Sequence, residues 1–270
     1  MSKLYVCSLV YGCSDYALQS VRSLMESEID ESVTFFVLDN GSPNKEEIDR
    51  DVFQYARNRG EQIGKTVITH RNETNLGVSG GMNCLYRKAF EDPGCEWMVY
   101  TAQDVLVHPK GIQAMCNRAK RGDAHFITGS QVPWGQEMKE PHEMEGVGAL
   151  FMGHFLQTRV MYETIGGWDE KFFPAYFEDN DYHARIIQGG FHSSAIGYCM
   201  APVRHHNSTT IKKYPNLNAN FAKNAAYFRE KWGGGPAEVM QRLLEKHGNG
   251  VPFKHMKHGE IQDGIHPKSE

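Results

Sequence analysis

Val33-Thr-Phe-Phe-Val-Leu-Asp39-Asn40-Gly41-Ser42-Pro43 reads as a buried strand running into a turn. Six aliphatic, aromatic or β-branched residues in succession suit a strand covered on both faces. Asp, Asn, Gly, Ser and Pro are the residues that make turns. Working back, Leu4 to Val10 is a second apolar run that stops at Tyr11-Gly12. Between the two, Tyr16 to Met25 places Leu18, Val21, Leu24 and Met25 at helical spacing. Strand, helix, strand in this order predicts a parallel βαβ unit, with any ligand beyond the carboxyl ends of the strands. Asp39 ends its strand and so stands at the ligand edge, although in isolation turn-forming Asx chemistry is the favoured account of it.

Working forward, Glu46 to Arg59 has the pattern of an exposed helix, and Thr66 to Thr69 of a third strand. Asn72-Glu-Thr-Asn75-Leu-Gly77-Val-Ser-Gly80-Gly81-Met-Asn83 then precedes the apolar helical residues Cys84, Leu85, Ala89 and Phe90. Glycines and amides ahead of a helix suggest an N-terminus facing a ligand, where free N–H groups and the dipole favour a phosphate. The segment is neither a Walker loop nor a complete Gly-x-Gly-x-x-Gly fingerprint. Glu96 to Tyr100 is a fourth strand and leads to Thr101-Ala102-Gln103-Asp104. An acid after a central strand needs a partner when buried; a divalent metal is one answer and a capping role another. Pro109 to Arg121 is expected to be helical, Ala124 to Ser130 a strand, Gln131 to Glu145 a surface loop, and Val147 to Phe155 a strand lining a cleft.

Ile165 to Arg185 is the densest stretch. Gly166-Gly167 opens it, Trp168, Phe172, Phe173, Tyr176 and Phe177 gather around Pro174, and Glu178, Asp179 and Asp181 close it. Acids this close repel one another and call for a cation or a proton. Aromatic walls raise a carboxylate's pKa, which suits a general base. A helix N-terminus also favours acids, and the two roles are compatible. The helix is expected to end at Gly189-Gly190. A late strand, Phe191 to Met200, leads to Arg204-His205-His206-Asn207-Ser208, where adjacent histidines suit a metal, a phosphate or a solvated turn. Ala219 to Trp232 and Pro236 to His247 read as helices. The tail with His255, His258 and His266 is too poor in apolar residues to be expected to fold fully.

The whole chain has 270 residues, 40% hydrophobic and 23% charged, with a formal net charge of -4. That composition suits one large core with a small appendage. The charge gives no general attraction to nucleic acid or anionic membrane, though clustered cations such as Arg204, Lys212-Lys213 and Lys254 to His258 can still form a patch. Met-Ser-Lys-Leu-Tyr-Val runs straight into a strand with no signal-peptide pattern. No apolar run approaches the roughly 20 residues of a membrane span. The six cysteines show no metal-finger spacing and read as reduced thiols, so a cytoplasmic location is expected.

The order of these motifs resembles the family-2 glycosyltransferases of the GT-A type. Val-Leu-Asp-Asn-Gly-Ser, Asn-Leu-Gly-Val-Ser-Gly-Gly-Met-Asn, Gln-Asp-Val, Gly-Gly-Trp-Asp-Glu-Lys-Phe-Phe, Phe-Glu-Asp-Asn-Asp-Tyr-His-Ala-Arg and His-His-Asn-Ser occur in register over residues 4 to 232. Asn224-Ala-Ala-Tyr-Phe-Arg-Glu-Lys-Trp-Gly-Gly-Gly is similar to members encoded by viruses and bacteriophages, for which the location would be a host cytoplasm.

The resemblance implies an α/β GT-A fold: a Rossmann-like, mostly parallel sheet with helices on both faces. It would occupy residues 1–215, with a nucleotide-sugar half over 1–107 and an acceptor half over 108–215. A helical extension, 216–250, and a partly flexible tail, 251–270, would follow. It implies inverting transfer from a nucleotide sugar, with uridine as the family-level expectation for the base. Asp39 would accept from the donor base, with Asn40, Gly41 and Ser42 shaping that pocket. Asn75, Gly77, Gly80, Gly81, Asn83 and Gln103 would line the nucleotide. Asp104 matches the last acid of the Asp-x-Asp metal motif, and His205 or His206 the late histidine near metal and diphosphate. Glu178-Asp179 matches the acidic pair containing the base, assigned to Asp179, with Asp181 beside it. Trp168 and Asp169 would border the acceptor.

One position departs from the pattern. Ala102 stands where the motif has its first acid. A hard cation (Mn2+ or Mg2+) tolerates water in several positions, so one carboxylate, one histidine and diphosphate oxygens can still hold it. In the expected reaction an acceptor hydroxyl attacks the anomeric carbon while Asp179 takes its proton. The acceptor is left open among a glycan, a protein side chain and a hydroxymethylated DNA base. The competing readings are an inactive sugar- or nucleotide-binding module of the same fold, which Ala102 motivates, and a nucleotidyltransferase, which would release pyrophosphate.

Overall fold

Strand β1 (Lys3–Val10) lies at the centre of the parallel half of the sheet, because its run of apolar residues tolerates burial on both faces. In a computed structural model, which describes residues 3–143, 151–191 and 196–247, helix α1 (Ser14–Met25) returns the chain to β2 (Ser32–Asp39), which pairs in parallel with β1. Helix α2 (Lys45–Glu47), a π-helical stretch (Ile48–Phe53) and helix α3 (Gln54–Ile63) continue one into the next and lead to β3 (Thr66–Arg71), parallel to β2. Helix α4 (Gly77–Phe90) crosses to β4 (Cys95–Ala102), which pairs in parallel with the other side of β1. All four carboxyl ends of β1 to β4 therefore open on one edge.

The second half of the sheet is mixed. Its elements are β5 (Val105–Val107), α5 (Gly111–Ala119), β6 (Phe126–Gln131), β7 (His142–Glu143), β8 (His154–Thr158), α6 (Arg159–Ile165), α7 (Glu178–Gln188) and β9 (Ile196–His205). The order across the sheet is β3-β2-β1-β4-β8-β6-β9-β5, with β7 on β9. Strand β8 runs antiparallel to β4 and β6, whereas β9 runs parallel to β6 and antiparallel to β5. The short helix α8 (Thr209–Lys213), a 3-10 turn (Pro215–Asn218), α9 (Phe221–Trp232) and α10 (Pro236–His247) complete the described chain.

Helices cover both faces. Ala17, Val21 and Leu24 of α1 and Ile112 and Met115 of α5 pack with Val6, Val37 and Val99 on one side. Met82, Leu85 and Tyr86 of α4 and Tyr182 and Ile186 of α7 pack with Cys7, Phe36 and Met98 on the other. A third core joins Phe228 of α9 and Met240 of α10 to Phe172, Phe177 and Ile187.

Several boundaries differ from the sequence reading. Helix α4 begins at Gly77 and not after Asn83, so Gly80, Gly81 and Asn83 lie inside it. The expected strand over Val147 to Phe155 is β8, displaced to His154–Thr158, and residues 144–150 of the sequence lie outside those described. Residues Val160 to Ile165 are helical. Strand β9 runs on to His205, so the histidine pair begins at a strand end. The tail beyond residue 247 also lies outside the described residues. No helix among the described residues is long and apolar enough to cross a membrane.

Candidate active site

The open edge of the sheet holds a cavity of about 310 Å3, at the lower end of ordinary ligand pockets. Leu9, Val10 and Tyr11 come from the end of β1, Asn40 from the end of β2, and Gln103 and Asp104 from the turn after β4. Asn75, Gly77 and Val78 come from the start of α4, Glu178 and Asp179 from the start of α7, and His205 from the end of β9. The fold thus brings together eight of the residues to which the resemblance gives donor, metal or catalytic roles: Asn40, Asn75, Gly77, Gln103, Asp104, Glu178, Asp179 and His205.

Asp104 is buried. Strand β5 pairs with β9 so that Val105 faces His205, which sets the two side chains side by side. His205 Nε2 lies 3.2 Å from Asp104 Oδ1, and Thr209 Oγ1 donates to Asp104 Oδ2 at 3.1 Å. Burial, the largest influence, pushes the Asp104 carboxyl up, but His205 and Thr209 outweigh it and hold the group below its ordinary range. His206 turns elsewhere: its ring packs on Tyr16 and Trp134, at centroid distances of 4.7 and 4.6 Å. Of the two histidines, His205 is therefore the one at the cavity. A carboxylate oxygen and an imidazole nitrogen this close fit a divalent cation whose other positions come from donor oxygens and water. Among the described residues, no three His, Cys, Asp or Glu side chains cluster as a metal site would need.

The amides form a scaffold behind the cavity. Asn40 Nδ2 donates to the Gly77 carbonyl at 2.9 Å and to Asn75 Oδ1 at 3.1 Å, and Asn40 Oδ1 accepts from Asn72. The first two N–H groups of α4 already have partners: Gly77 donates to Asn75 Oδ1 and Val78 to the Pro174 carbonyl, both at 2.8 Å. The anion site expected at this helix end is correspondingly narrowed. Gln103 pins the end of β1 twice, accepting from Tyr11 N–H at 2.8 Å and donating to its carbonyl at 3.1 Å.

Asp39, Gly41 and Ser42 stand behind this wall. Asp39 is fully buried, accepting from Ser42 N–H at 2.9 Å and from Arg71 Nε at 2.6 Å. Ser42 Oγ accepts from Gly12 N–H. Arg71 was not singled out from sequence; extending the third strand by two residues would have set it opposite Asp39, as the parallel register does. Gly41 backs onto Thr74, where a Cβ would sit 2.3 Å from a backbone carbon. Gly81 backs onto Leu9 and Asn40, and Gly80 onto Leu76. Asn83 holds the Trp168 backbone through both ends of its amide, at 2.7 and 2.9 Å.

The acid cluster divides. Glu178 is buried at the cavity, and its Oε2 has no hydrogen-bond partner among the described residues. Burial first and the Asp179 charge second push its carboxyl well above the ordinary range. Asp179 is half-buried beside it on the cavity wall. Asp181 faces away: Arg185 Nε donates to it at 2.9 Å, Trp232 Nε1 at 2.8 Å and Lys231 Nζ at 2.7 Å. Trp168 is buried and stacks on Tyr182 at 4.4 Å, and Asp169 accepts from Tyr227 and Lys231. Neither residue lines the cavity. Tyr176, one of the aromatics expected to wall the acids, does, with Ser208; Thr210 and Ile211 also line it and were given no role from sequence because nothing local marks them as wall residues.

Known proteins share the sequence pattern and the fold. A galactofuranosyl glycosyltransferase of Leishmania donovani is 29% identical over 143 residues, which is 47% of this chain and 32% of that one. The chain thus spans about a third of that relative's length. Among solved structures, the mannosyltransferase PcManGT from Pyrobaculum calidifontis, in complex with GDP-Man and Mn2+, matches with a TM-score of 0.61 at 11% identity. That match covers 92% of this chain and 69% of the other. S. aureus TarS matches with a TM-score of 0.60 at 12% identity, over 93% of this chain and 44% of the other. At these identities the structures speak to the fold alone, which is that of the GT-A glycosyltransferases. The family model for glycosyl transferase family 2 matches residues 5–183, about two thirds of the sequence, and the chain belongs to that family.

Proposed function

We propose that this glycosyltransferase moves a sugar from a nucleoside diphosphate, uridine-linked, to an acceptor hydroxyl with inversion at the anomeric carbon. The observation that carries the reading is one cavity lined both by the Asp104–His205 pair and by the Glu178–Asp179 pair. The first pair suits the diphosphate end of a donor and the second an incoming hydroxyl. The PcManGT structure, solved with a nucleotide sugar and Mn2+, supports the donor class and the cation.

Asp179 is the general base. It takes the hydroxyl proton as the acceptor oxygen bonds to the anomeric carbon and the bond to the diphosphate breaks, so that a nucleoside diphosphate leaves. Burial raises the Glu178 carboxyl above its ordinary range, which favours its neutral form beside the Asp179 base. The amides of Asn40 and Asn75 and the backbone at Gly77 form the donor wall, and Asp39 shapes the base pocket from behind through Ser42. When bound by Asp104 and His205, a divalent cation would offset the charge that develops on the leaving diphosphate. The acceptor class is a glycan, a protein side chain or a modified DNA base.

Calorimetric titration with UDP, with and without Mn2+, tests the donor and the cation together. Binding that strengthens with Mn2+ is expected; equal binding in both conditions would remove the cation from the reading. Asp179→Asn is expected to lower transfer by at least about 100-fold while UDP affinity stays the same. Wild-type turnover in that variant would remove Asp179 as the base. Ala102 favours a second reading, an inactive nucleotide-binding module, which predicts UDP binding with no turnover of any nucleotide sugar.

A further inference from the structure

Two consecutive residues just ahead of the acidic pair lie in the left-handed region, Tyr176 at φ 75° and Phe177 at φ 72°. Neither is glycine, and such a conformation persists only where the surroundings hold it. Phe177 is the residue that caps α7, so its backbone sets the direction in which Glu178 and Asp179 leave the loop.

The holding groups come from α9. Asn224 is 1% exposed, and its Nδ2 points into the loop, reaching the carbonyls of Ala175 at 2.8 Å, Tyr176 at 3.2 Å and Phe173 at 3.3 Å. Asn220 Nδ2 donates to the same Phe173 carbonyl at 3.1 Å. Phe221 packs against both Tyr176 and Phe177, with centroids 5.2 and 5.1 Å away, and Phe228 lies 6.0 Å from Phe177. At the end of α9, Lys231 and Trp232 hold Asp181, one turn into α7. Helix α9 thus grips the loop before the acidic pair and the helix after it.

We propose that Asn224 is a positioning residue for transfer, fixing the 173–177 loop so that the Glu178–Asp179 pair faces the cavity. The residue lies outside the segment that the family model matches, residues 5–183, so the catalytic geometry here depends on the C-terminal helices. The carbonyls of Phe173, Ala175 and Tyr176 converge on one buried side chain. An amide suits that place because its N–H2 group can be shared among them, whereas an apolar or acidic replacement of similar size donates nothing to them. The proposal rests on the glycosyl-transfer reading for its catalytic consequence and on the loop geometry alone for its structural one.

The test compares wild type with Asn224→Leu, which keeps the branching and the number of heavy atoms and removes the donor. Asn224→Ser, whose single hydroxyl can serve only one carbonyl at a time, stands in if the first variant fails to fold. Two readouts are taken: hydrogen exchange at the amides of residues 175–179, and transfer kinetics with UDP affinity. Faster exchange confined to this loop is expected, with the melting transition retained. The kcat should fall about 10- to 100-fold while UDP affinity holds within about twofold, as misplacement of a reacting group by about 1 Å would cause. Unchanged loop exchange would overturn the brace whatever the activity. Faster exchange with wild-type kcat would overturn its role in transfer. If wild type turns over no nucleotide sugar, the proposed function fails, and loop exchange alone then decides the brace.

Discussion

Asp104 carries the clearest consequence at the scale of single residues. Its two oxygens already face His205 and Thr209, so it is a polarised, low-pKa carboxylate with a ready-made neighbour for a cation. Asp104→Ala is expected to weaken UDP binding at least about 10-fold in Mn2+ and to leave the metal-free affinity near wild type. Calorimetry in the presence and absence of chelator reads both numbers, and a loss that is equal in the two would point to packing instead. Much of this centre was legible in the sequence, because an acid after an apolar strand and a histidine pair after a later strand are visible signals. Which histidine faces the cavity was not legible. That choice follows from the antiparallel pairing of β5, a strand of three residues too short to show a pattern, with β9.

At the scale of elements, α4 and the 173–174 loop meet with no room to spare. Gly77 sits at φ +71°, and a Cβ there would lie 2.9 Å from both the Pro174 carbonyl oxygen and the Phe173 ring. Gly77→Ala meets strain on both counts, about 1–2 kcal/mol from the backbone alone. It should push the loop outward, giving a lower melting temperature and reduced transfer together. Thermal melts and initial rates on the same preparation check the pair, and a variant as stable and active as wild type would show that the contact yields freely. The glycine-rich segment signalled a close approach in the sequence, but not to what. Gly77 does line the cavity, but the missing side chains of Gly77, Gly80 and Gly81 make room for the Phe173–Pro174 loop, Leu76 and Leu9 respectively. Spacing along the chain reveals that something comes near; it does not reveal whether that is ligand or protein.

At the scale of the whole molecule, a buried acid links stability to pH. Glu178 holds its proton more tightly in the folded chain than the ordinary value of 4.5 allows, chiefly through burial. An acid with a raised folded pKa contributes stability that is complete below the unfolded value and is lost as pH rises through the folded one. Glu178→Gln removes that loss. Its stability relative to wild type should therefore increase as pH rises above 4.5 and level off above the folded pKa. Melting temperatures across that range check the sign, and a constant difference would mean that folding does not raise the Glu178 pKa. The parallel half of the sheet and its helices were readable from periodicity alone. The partition of the acid cluster was not, since Asp179 and Asp181 are two positions apart in sequence and Asp181 is claimed by residues some fifty positions later.

Lys231 closes that arrangement, with Nζ 2.7 Å from Asp169 Oδ2 and 2.7 Å from Asp181 Oδ1. This bridge sets a rule for building chimaeras. A crossover that transplants only residues 5–183, the span shared with the family model, would bring both acids and leave their common counter-ion behind. Such a graft inherits two poorly hydrated charges with nothing to neutralise them, and should be recovered misfolded. A junction placed after Trp232 keeps the acids, the lysine and the indole in one inheritance unit, so the exchangeable block in this enzyme is longer than the family signature.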